Sequence, residues 1–379
     1  MPKKKILVWE TLSTVSGGQK MTLMVMDLLQ DRYDFLCLIP EKGLLSDELD
    51  KRQIPYILLG NMNLPTGVKG IKAYLLYAWM SAKCIMRSLR AIGKHKPDIL
   101  YAPGPAALPW SAVCGTLKHK PVVWHLHHIF LDGPTKKLLN VCSKWRAVKR
   151  VMAVSNCVGG QIAASSAVTK LEVLYNPVDN SRYAGGNGQR FLDSVRMQYG
   201  LHLENRVLIG HVALIQRSKQ QSFVLAVIRK LRELGIDAVG LFAGEVREQE
   251  YRDELNQQIK ECGLEDATVL LGRREDIPDM LKAVSVLMIP SFEGFPLAGV
   301  EAAAAGIPVV ACDVAGAKEF VEVSRAGIVF KENDIQSAID AVLSTINRSD
   351  VFQENGRIFA AQSSVTEYNQ KLRSVFDVL

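Results

Sequence analysis

Short apolar runs recurring at regular intervals, with stretches of helical period between them, constrain the fold of this chain more than any other feature. Before residue 176 they read KILVW, DFLCLI, PYILL, DILYA, PVVWH, RVMAV and LEVLY. After residue 200 they read RVLIGHVALI, DAVGLFA, ATVLL, VSVLMI, IPVV and AGIVF. Runs of four to eight Val, Ile and Leu residues alternating with helices mark strands buried on both faces of parallel sheets. The 379 residues are too many for one ordinary core, so the expected architecture is α/β, with two doubly wound, Rossmann-like domains facing across a cleft.

The segment NPVDNSRYAGGNGQR, residues 176–190, separates the two sets of strands; Pro177, the glycines and the asparagines make it turn-rich. The expected organisation is therefore a first domain over residues 1–180 and a second over 181–363. A last helix follows within 364–379, running from about Thr366 to Val378. Its apolar positions, Tyr368, Leu372, Val375 and Phe376, need a partner surface, and the expected partner is the first domain. The symmetry of the halves is one of architecture; no sequence repeat accompanies it.

The net charge of +7 conceals an asymmetry: residues 1–180 carry 24 Lys and Arg against 12 Asp and Glu, and the remainder carries 22 against 27. A basic first half suits an anionic membrane surface or a phosphorylated substrate. Nucleic acid is disfavoured, because that half shows no zinc-finger spacing, RNP-like aromatic run or arginine-rich tract. Seven cysteines form no CxxC pair and no close His/Cys cluster, which points away from a disulfide framework or structural zinc and towards a reducing compartment. The start, MPKKKILVWE, is too short in apolar residues for a signal peptide, and the charge-free run Ile99–Leu117 is broken by Pro103, Pro105 and Pro109. The expected location is thus cytoplasmic, or peripheral on the inner face of the cell membrane. Residues 70–96 read as one long apolar helix with Lys72, Lys83, Arg87, Arg90, Lys94 and Lys96. Such a helix either rests on an anionic bilayer or packs on the sheet with a solvated edge.

Ligands of open parallel sheets bind where strands end and helices begin, and four such loops carry polar candidates. In WETLSTVSGGQKMTL, Gly17 and Gly18 precede a helix expected to start near Gln19. Paired glycines there either admit a phosphate to the backbone amides or simply make a tight turn. The loop lacks GxGxxG and the Gly-Lys-Ser/Thr of a P-loop, which disfavours the familiar dinucleotide and P-loop sites. In VVWHLHHIFLDG, alternation puts His125 and His127 on one face. No acidic or cysteine partner accompanies them at metal-ligand spacing, so the choice is between a substrate contact and a satisfied core histidine. In GHVALIQRSKQQSF, Arg217 and Lys219 either hold a diphosphate or form a solvated basic turn.

The fourth loop, SFEGFPLAGVEAAAAGIPVV, holds Glu293 and Glu301 with no charge between them. Pro296 suits the first helical position, which places Glu301 in the second turn. Five residues of helix, about 7.5 Å of rise, keep the two carboxylates from sharing a proton. They suit the two ends of one ligand, with the amides of Phe295 and Leu297 facing an anion between them; the alternative is two surface charges favoured by the helix dipole.

The stretch IPSFEGFPLAGVEAAAAGIPVVACDVAGAKEFV resembles the Glu-x7-Glu signature and flanks of family 4 of the retaining glycosyltransferases, which have the GT-B fold. Weaker agreement runs through SGGQK, WHLHH, VSNCV, LYNPVD and LLGRREDIPDML. The resemblance implies that Glu293 faces the donor sugar, Glu301 the ribose, and the amides after Gly294, from Phe295 through Pro296 to Leu297, the phosphates. It places Gly17, Gly18 and Arg273 on the donor as well. His127 matches the family histidine best, with His125 as the other choice. Lys219 matches the family lysine, but Leu214 stands where the family has its clamp arginine, and Arg217 is the expected substitute. Lys20 replaces a common glutamate on the acceptor side.

No Asp-x-Asp motif occurs, and the resemblance implies a metal-independent transfer with no cofactor. Charge on the leaving diphosphate would be met by Arg217, Lys219 and helix N-termini. The implied donor is a nucleotide sugar, UDP-linked by default, and the implied acceptor a saccharide or lipid-linked saccharide in surface polysaccharide or glycolipid synthesis. A GT-B nucleotide-sugar epimerase and a catalytically silent nucleotide-sugar-binding member are the alternatives.

Overall fold

The computed structural model describes residues 3–60, 71–162 and 170–379. The chain divides into two compact units, Met1–Tyr175 together with Tyr368–Leu379, and Asn176–Glu367.

In the first unit, β1 (Lys4–Trp9), β2 (Tyr33–Ile39), β3 (Tyr56–Leu58), β4 (Ile99–Ala102), β5 (Val122–Leu126), β6 (Val148–Ala153) and β7 (Leu171–Val173) form one sheet. Its order is β3-β2-β1-β4-β5-β6-β7, parallel throughout. Each strand grows from one of the seven apolar runs, because a strand covered by helices on both faces must be apolar on both. The indoles of Trp9, Trp110 and Trp124 are buried and satisfied by serines, donating to Ser88, Ser81 and Ser111 at 2.9, 2.7 and 3.0 Å. Strand order reverses between β1 and β4, so the loops after these strands open at the switch point of the sheet.

The last helix, Val365–Asp377, buries the four expected side chains, Tyr368, Leu372, Val375 and Phe376. The Phe376 ring lies 6.1 Å from Tyr33 and 5.8 Å from Tyr101. Arg373 grips Asp31 with both terminal nitrogens, at 3.0 and 2.9 Å, and its guanidinium holds the Asp31 carboxyl below its usual range. The helix thus completes the first unit, as its spacing predicts.

In the second unit, β8 (Val207–Val212), β9 (Ala238–Ala243), β10 (Thr268–Gly272), β11 (Val286–Ile289), β12 (Val309–Cys312) and β13 (Gly327–Phe330) follow the order β10-β9-β8-β11-β12-β13. All pairings are parallel, and the switch point lies between β8 and β11. The small residues Ala302 to Ala305 are buried, so the helix Leu297–Ala305 lies close on the sheet.

The structure moves the expected boundary from residue 180 to 175. The Val178 amide donates to the Ser363 carbonyl at 3.1 Å, and the Asn180 side chain donates to the Ala360 carbonyl at 2.8 Å, which ties residues 176–180 to the second unit. The turn-rich segment also contains structure of its own: Asp179 caps a short helix, Asn180–Ala184, and Asn187 caps Gly188–Tyr199.

The basic helix spans Ile71–His95; Gly70, from which it was expected to start, lies outside the described residues. Met80, Cys84, Ser88, Ala91 and Ile92 pack inward. The opposite side exposes Leu75 at 66%, Trp79 at 58% and Met86, with the Lys83 ammonium 3.5 Å over the Trp79 ring. The two sequence readings combine: one face packs, and another presents apolar and basic groups together. Among the described residues no helix is long and apolar enough to cross a membrane.

Candidate functional site

The centre of the site lies in the second unit, in the loops after β8 and β11. The loop after β11 runs Pro290, Ser291, Phe292, Glu293, Gly294, Phe295, Pro296. Ser291 is buried and donates its hydroxyl to Glu293 Oε1 at 2.7 Å. The Cys312 thiol, pushed up to about 12 by burial, donates to the Ser291 carbonyl at 3.3 Å, so the root of the loop is tied to β12.

Lys219 reaches the same oxygen. Its ammonium donates to Glu293 Oε1 at 2.6 Å, and the two side chains are only 22% and 20% exposed. A charge-assisted bond in so sheltered a place is strong and directional. Lys219 stands at the end of a short 3-10 turn, Arg217–Lys219, that follows β8 and leads into the helix Gln221–Glu233.

Arg217, the expected substitute for the arginine missing at Leu214, makes an exposed ion pair. Its guanidinium donates to Glu254 at 2.7 Å and lies 5.1 Å over the Tyr251 ring. Both partners sit on the helix Gln249–Glu261. Leu214 supplies only its carbonyl, which accepts from Gln221 at 2.9 Å.

The break after Glu293 is held by backbone. Gly316 donates its amide to the Glu293 carbonyl at 2.9 Å, and a Cβ at 316 would lie 1.8 Å from the Gly294 oxygen. Only glycine permits that approach. Asn176, buried, donates to the Phe295 carbonyl at 3.1 Å, and the Phe295 ring meets Phe320 edge-on at 5.7 Å. The helix begins at Leu297 with Pro296 as its N-cap, one residue later than expected. The extended ψ of 110° at Pro296 is the reason: the residue bends the chain into the helix without joining it. Glu301 falls in the second turn and faces Tyr183, whose hydroxyl bonds to it; burial first and this carboxylate second push the phenol upward. The two glutamates thus keep separate partners, as their spacing requires.

Arg273 is exposed in the loop after β10, and no bond joins it to the Lys219–Glu293 pair among the described contacts. The first-unit candidates form their own group. Gly17 and Gly18 are the first two residues of the helix Gly17–Leu29, so the helix starts before Gln19. Gln19 turns back: its side-chain oxygen accepts from the Ser16 amide and hydroxyl at 3.3 and 2.6 Å, and its nitrogen donates to Glu10 at 2.9 Å. Nothing lies within 4 Å of the Cβ position of Gly18, and Lys20 is exposed.

His125 is fully buried; Tyr101 Oη lies 2.7 Å from its Nδ1, and burial pushes the imidazole down to about 3. His127 sits just past β5 and is partly exposed, with the ring centres 4.0 Å apart. Burial, then the neighbouring imidazoles, hold His127 well below its usual range. Of the two, only His127 has exposed surface, and its Nε2 is itself buried. Among the described residues no three His, Cys, Asp or Glu side chains stand close enough to hold a metal ion.

Sequence reasoning missed Ser291, Tyr183, Asn176 and Gly316. Apart from Ser291, two residues before Glu293, each meets the site from a distant part of the chain, and local spacing carries no sign of it.

Residues 197–359 match the family model described as glycosyl transferases group 1, and residues 46–182 match glycosyltransferase family 4. A relative from Escherichia coli, UDP-Gal:alpha-D-GlcNAc-diphosphoundecaprenol alpha-1,3-galactosyltransferase, is 25% identical over 356 residues, covering 90% of this chain and 87% of its own. GDP-mannose:cellobiosyl-diphosphopolyprenol alpha-mannosyltransferase of Xanthomonas campestris is 27% identical over 199 residues, 52% of this chain and 48% of its own. Among solved structures, Anabaena Alr3699/HepE in complex with UDP superposes with a TM-score of 0.82 at 23% identity, covering 99% of this chain and 100% of that one. That likeness is one of fold.

Proposed function

The chain belongs to the family 4 type of GT-B glycosyltransferases, and from that premise we propose that it moves a hexosyl group from a UDP-sugar to a lipid-linked saccharide with retention of configuration. The observation that carries this reading is the Lys219–Glu293 pair beside the N-terminus of the helix Leu297–Ala305. A carboxylate for sugar hydroxyls, an ammonium for a diphosphate and a helix N-terminus lie in adjoining loops at one switch point. Glu301, with Tyr183 behind it, supplies an acceptor for a ribose diol.

In the proposed transfer the bond from the anomeric carbon to the diphosphate breaks while the acceptor oxygen attaches on the same face. The departing phosphate oxygen takes the acceptor proton, so no protein base is required. Lys219 and the amides heading the helix meet the charge that develops on the diphosphate, a role needing no metal. The lipid-linked acceptor draws support from the two polyprenol-linked substrates named for the bacterial relatives, and the UDP donor from the Anabaena complexes with UDP and UDP-glucose.

The exposed side of the helix Ile71–His95 supports docking on an anionic bilayer, where such an acceptor resides. Leu138 and Val141 of the neighbouring helix Gly133–Ser143 are exposed too.

The test incubates purified protein with UDP-sugars, with and without a polyprenyl-diphosphate saccharide. Transfer that depends on acceptor is the expected result. An epimer formed without acceptor, or no turnover with any donor, refutes the proposal.

A further inference from the structure

β8 and β11 lie side by side at the switch point, and their main-chain register pairs Ile209 with Val286 and Gly210 with Leu287. One residue further on, His211 extends the pairing with its side chain: Nδ1 lies 3.0 Å from the Met288 carbonyl oxygen. A carbonyl oxygen can only accept, so the proton is on Nδ1 and Nε2 carries a bare lone pair. His211 is 2% exposed, and among the described residues nothing bonds to Nε2. An acceptor left unpaired in the interior costs about 1–3 kcal/mol. Such a group calls for a reason of its own, and a donor that meets it at some stage of function is one.

Of the two charged groups that act on this ring, Lys219 and Glu293, only the ammonium can donate. Burial, the Met288 bond, Lys219 and Glu293, in that order, set the imidazole, which is pushed down to about 4. It is therefore neutral at neutral pH and keeps its lone pair. Phe242 meets the ring edge-on at 5.8 Å and offers no polar hydrogen. The Lys219 ammonium has three hydrogens, and one goes to Glu293. With leucine at position 214 and Arg217 held by Glu254, Lys219 is the cation that the described contacts place at Glu293. It must leave a carboxylate and meet a diphosphate, and a neutral second acceptor can hold it without competing with phosphate for its charge.

We propose that His211 is a positioning residue of the donor site: Nδ1–H fixes the strand that leads to Ser291 and Glu293, and Nε2 accepts a hydrogen of Lys219 as the ammonium leaves Glu293 for the diphosphate, aiming it at that group. The inference rests on the donor-site reading above. Two substitutions separate the two nitrogens. In His211→Asn the side-chain amide can keep the bond to Met288 but leaves nothing at the place of Nε2; in His211→Gln an amide oxygen can reach that place.

The experiment measures, by calorimetry, the affinity ratio of nucleoside diphosphate over nucleoside for the tightest of UDP, GDP and ADP, with thermal melting as the control for folding. H211N should lower the ratio about fivefold to tenfold with nucleoside affinity unchanged. H211Q should restore most of it, and in a Lys219→Met background the residue at 211 should cease to matter. An H211N ratio within twofold of wild type, or an equal loss in the K219M background, overturns the proposal. A wild type that does not prefer diphosphate over nucleoside, with K219M the same, overturns the donor-site reading itself.

Discussion

Replacing Glu293 with glutamine should weaken transfer and strengthen the binding of UDP, two effects of opposite sign. In the structure Lys219 is spent on Glu293 at 2.6 Å, with both side chains about four-fifths buried. A hydrogen bond to a charged group contributes about 1.5–3 kcal/mol when buried, and partial exposure reduces that to about 1–2 kcal/mol. Glutamine keeps an oxygen for the Ser291 hydroxyl, which now lies at 2.7 Å, but its neutral amide releases the ammonium. UDP, which has no sugar for Glu293 to hold, should then bind about 5- to 30-fold tighter, with the gain shrinking as salt is added. Turnover should fall at least about 100-fold, since the group proposed to act on the reacting sugar is gone. Calorimetry with UDP and a transfer assay read the two sides separately. UDP affinity unchanged or lower in Glu293→Gln would refute the argument that the pair withholds Lys219.

Gly316→Ala places a Cβ where the structure allows 1.8 Å to the Gly294 oxygen; the loop must move, and we expect loss of nucleotide binding with a lowered melting temperature. Tyr183→Phe leaves Glu301 without its phenolic donor, and the expected result is a donor KM raised several-fold at nearly constant kcat. Glu10 is buried, and burial raises its carboxyl above the ordinary 4.5 against the opposing bonds from Gln19 and Thr22. Its contribution to stability is therefore complete below about 4.5 and is lost as pH rises through the folded value. In thermal melts the advantage of Glu10→Gln over wild type should accordingly grow from pH 4 towards neutrality, and a constant difference would contradict the assignment. Trp79→Ser and Leu75→Ser together should reduce binding to phosphatidylglycerol vesicles at low salt without lowering the melting temperature; equal binding by both proteins would remove the helix Ile71–His95 from the docking surface.

The sheets were legible because a strand covered on both faces leaves an unbroken apolar run, and each of the thirteen strands arises in such a run. The run RVLIGHVALI shows the limit of that reading: the strand stops at Val212, and the residues beyond it make the loop that delivers Lys219. The last helix was legible because its four buried side chains recur at helical spacing. The Arg217–Glu254 pair was not legible because nothing near Arg217 in the sequence announces Glu254, 37 residues away. A guanidinium takes the carboxylate that the fold brings to it, and that partner is a property of how two helices pack. His211 was invisible for the same reason: a histidine inside an apolar run looks like core until the Met288 carbonyl fixes one nitrogen and leaves the other bare.

The separation of Glu293 from Glu301 takes on a further meaning once their partners are known. A lone carboxylate as sheltered as Glu293 would be costly in the empty protein, and pairing it with Lys219 removes that cost. On the proposed reading a nucleotide sugar replaces both halves of the pair at once, hydroxyls for the carboxylate and diphosphate for the ammonium, whereas a nucleoside diphosphate replaces only one half and strands Glu293. Glu301 faces Tyr183 and enters no ion pair among the described residues, so on the same reading binding of the ribose carries no such penalty. The arrangement therefore favours the intact donor over the spent nucleotide by about the strength of one charge-assisted bond, which helps the nucleotide to leave after transfer. Removing the carboxylate should erase that preference.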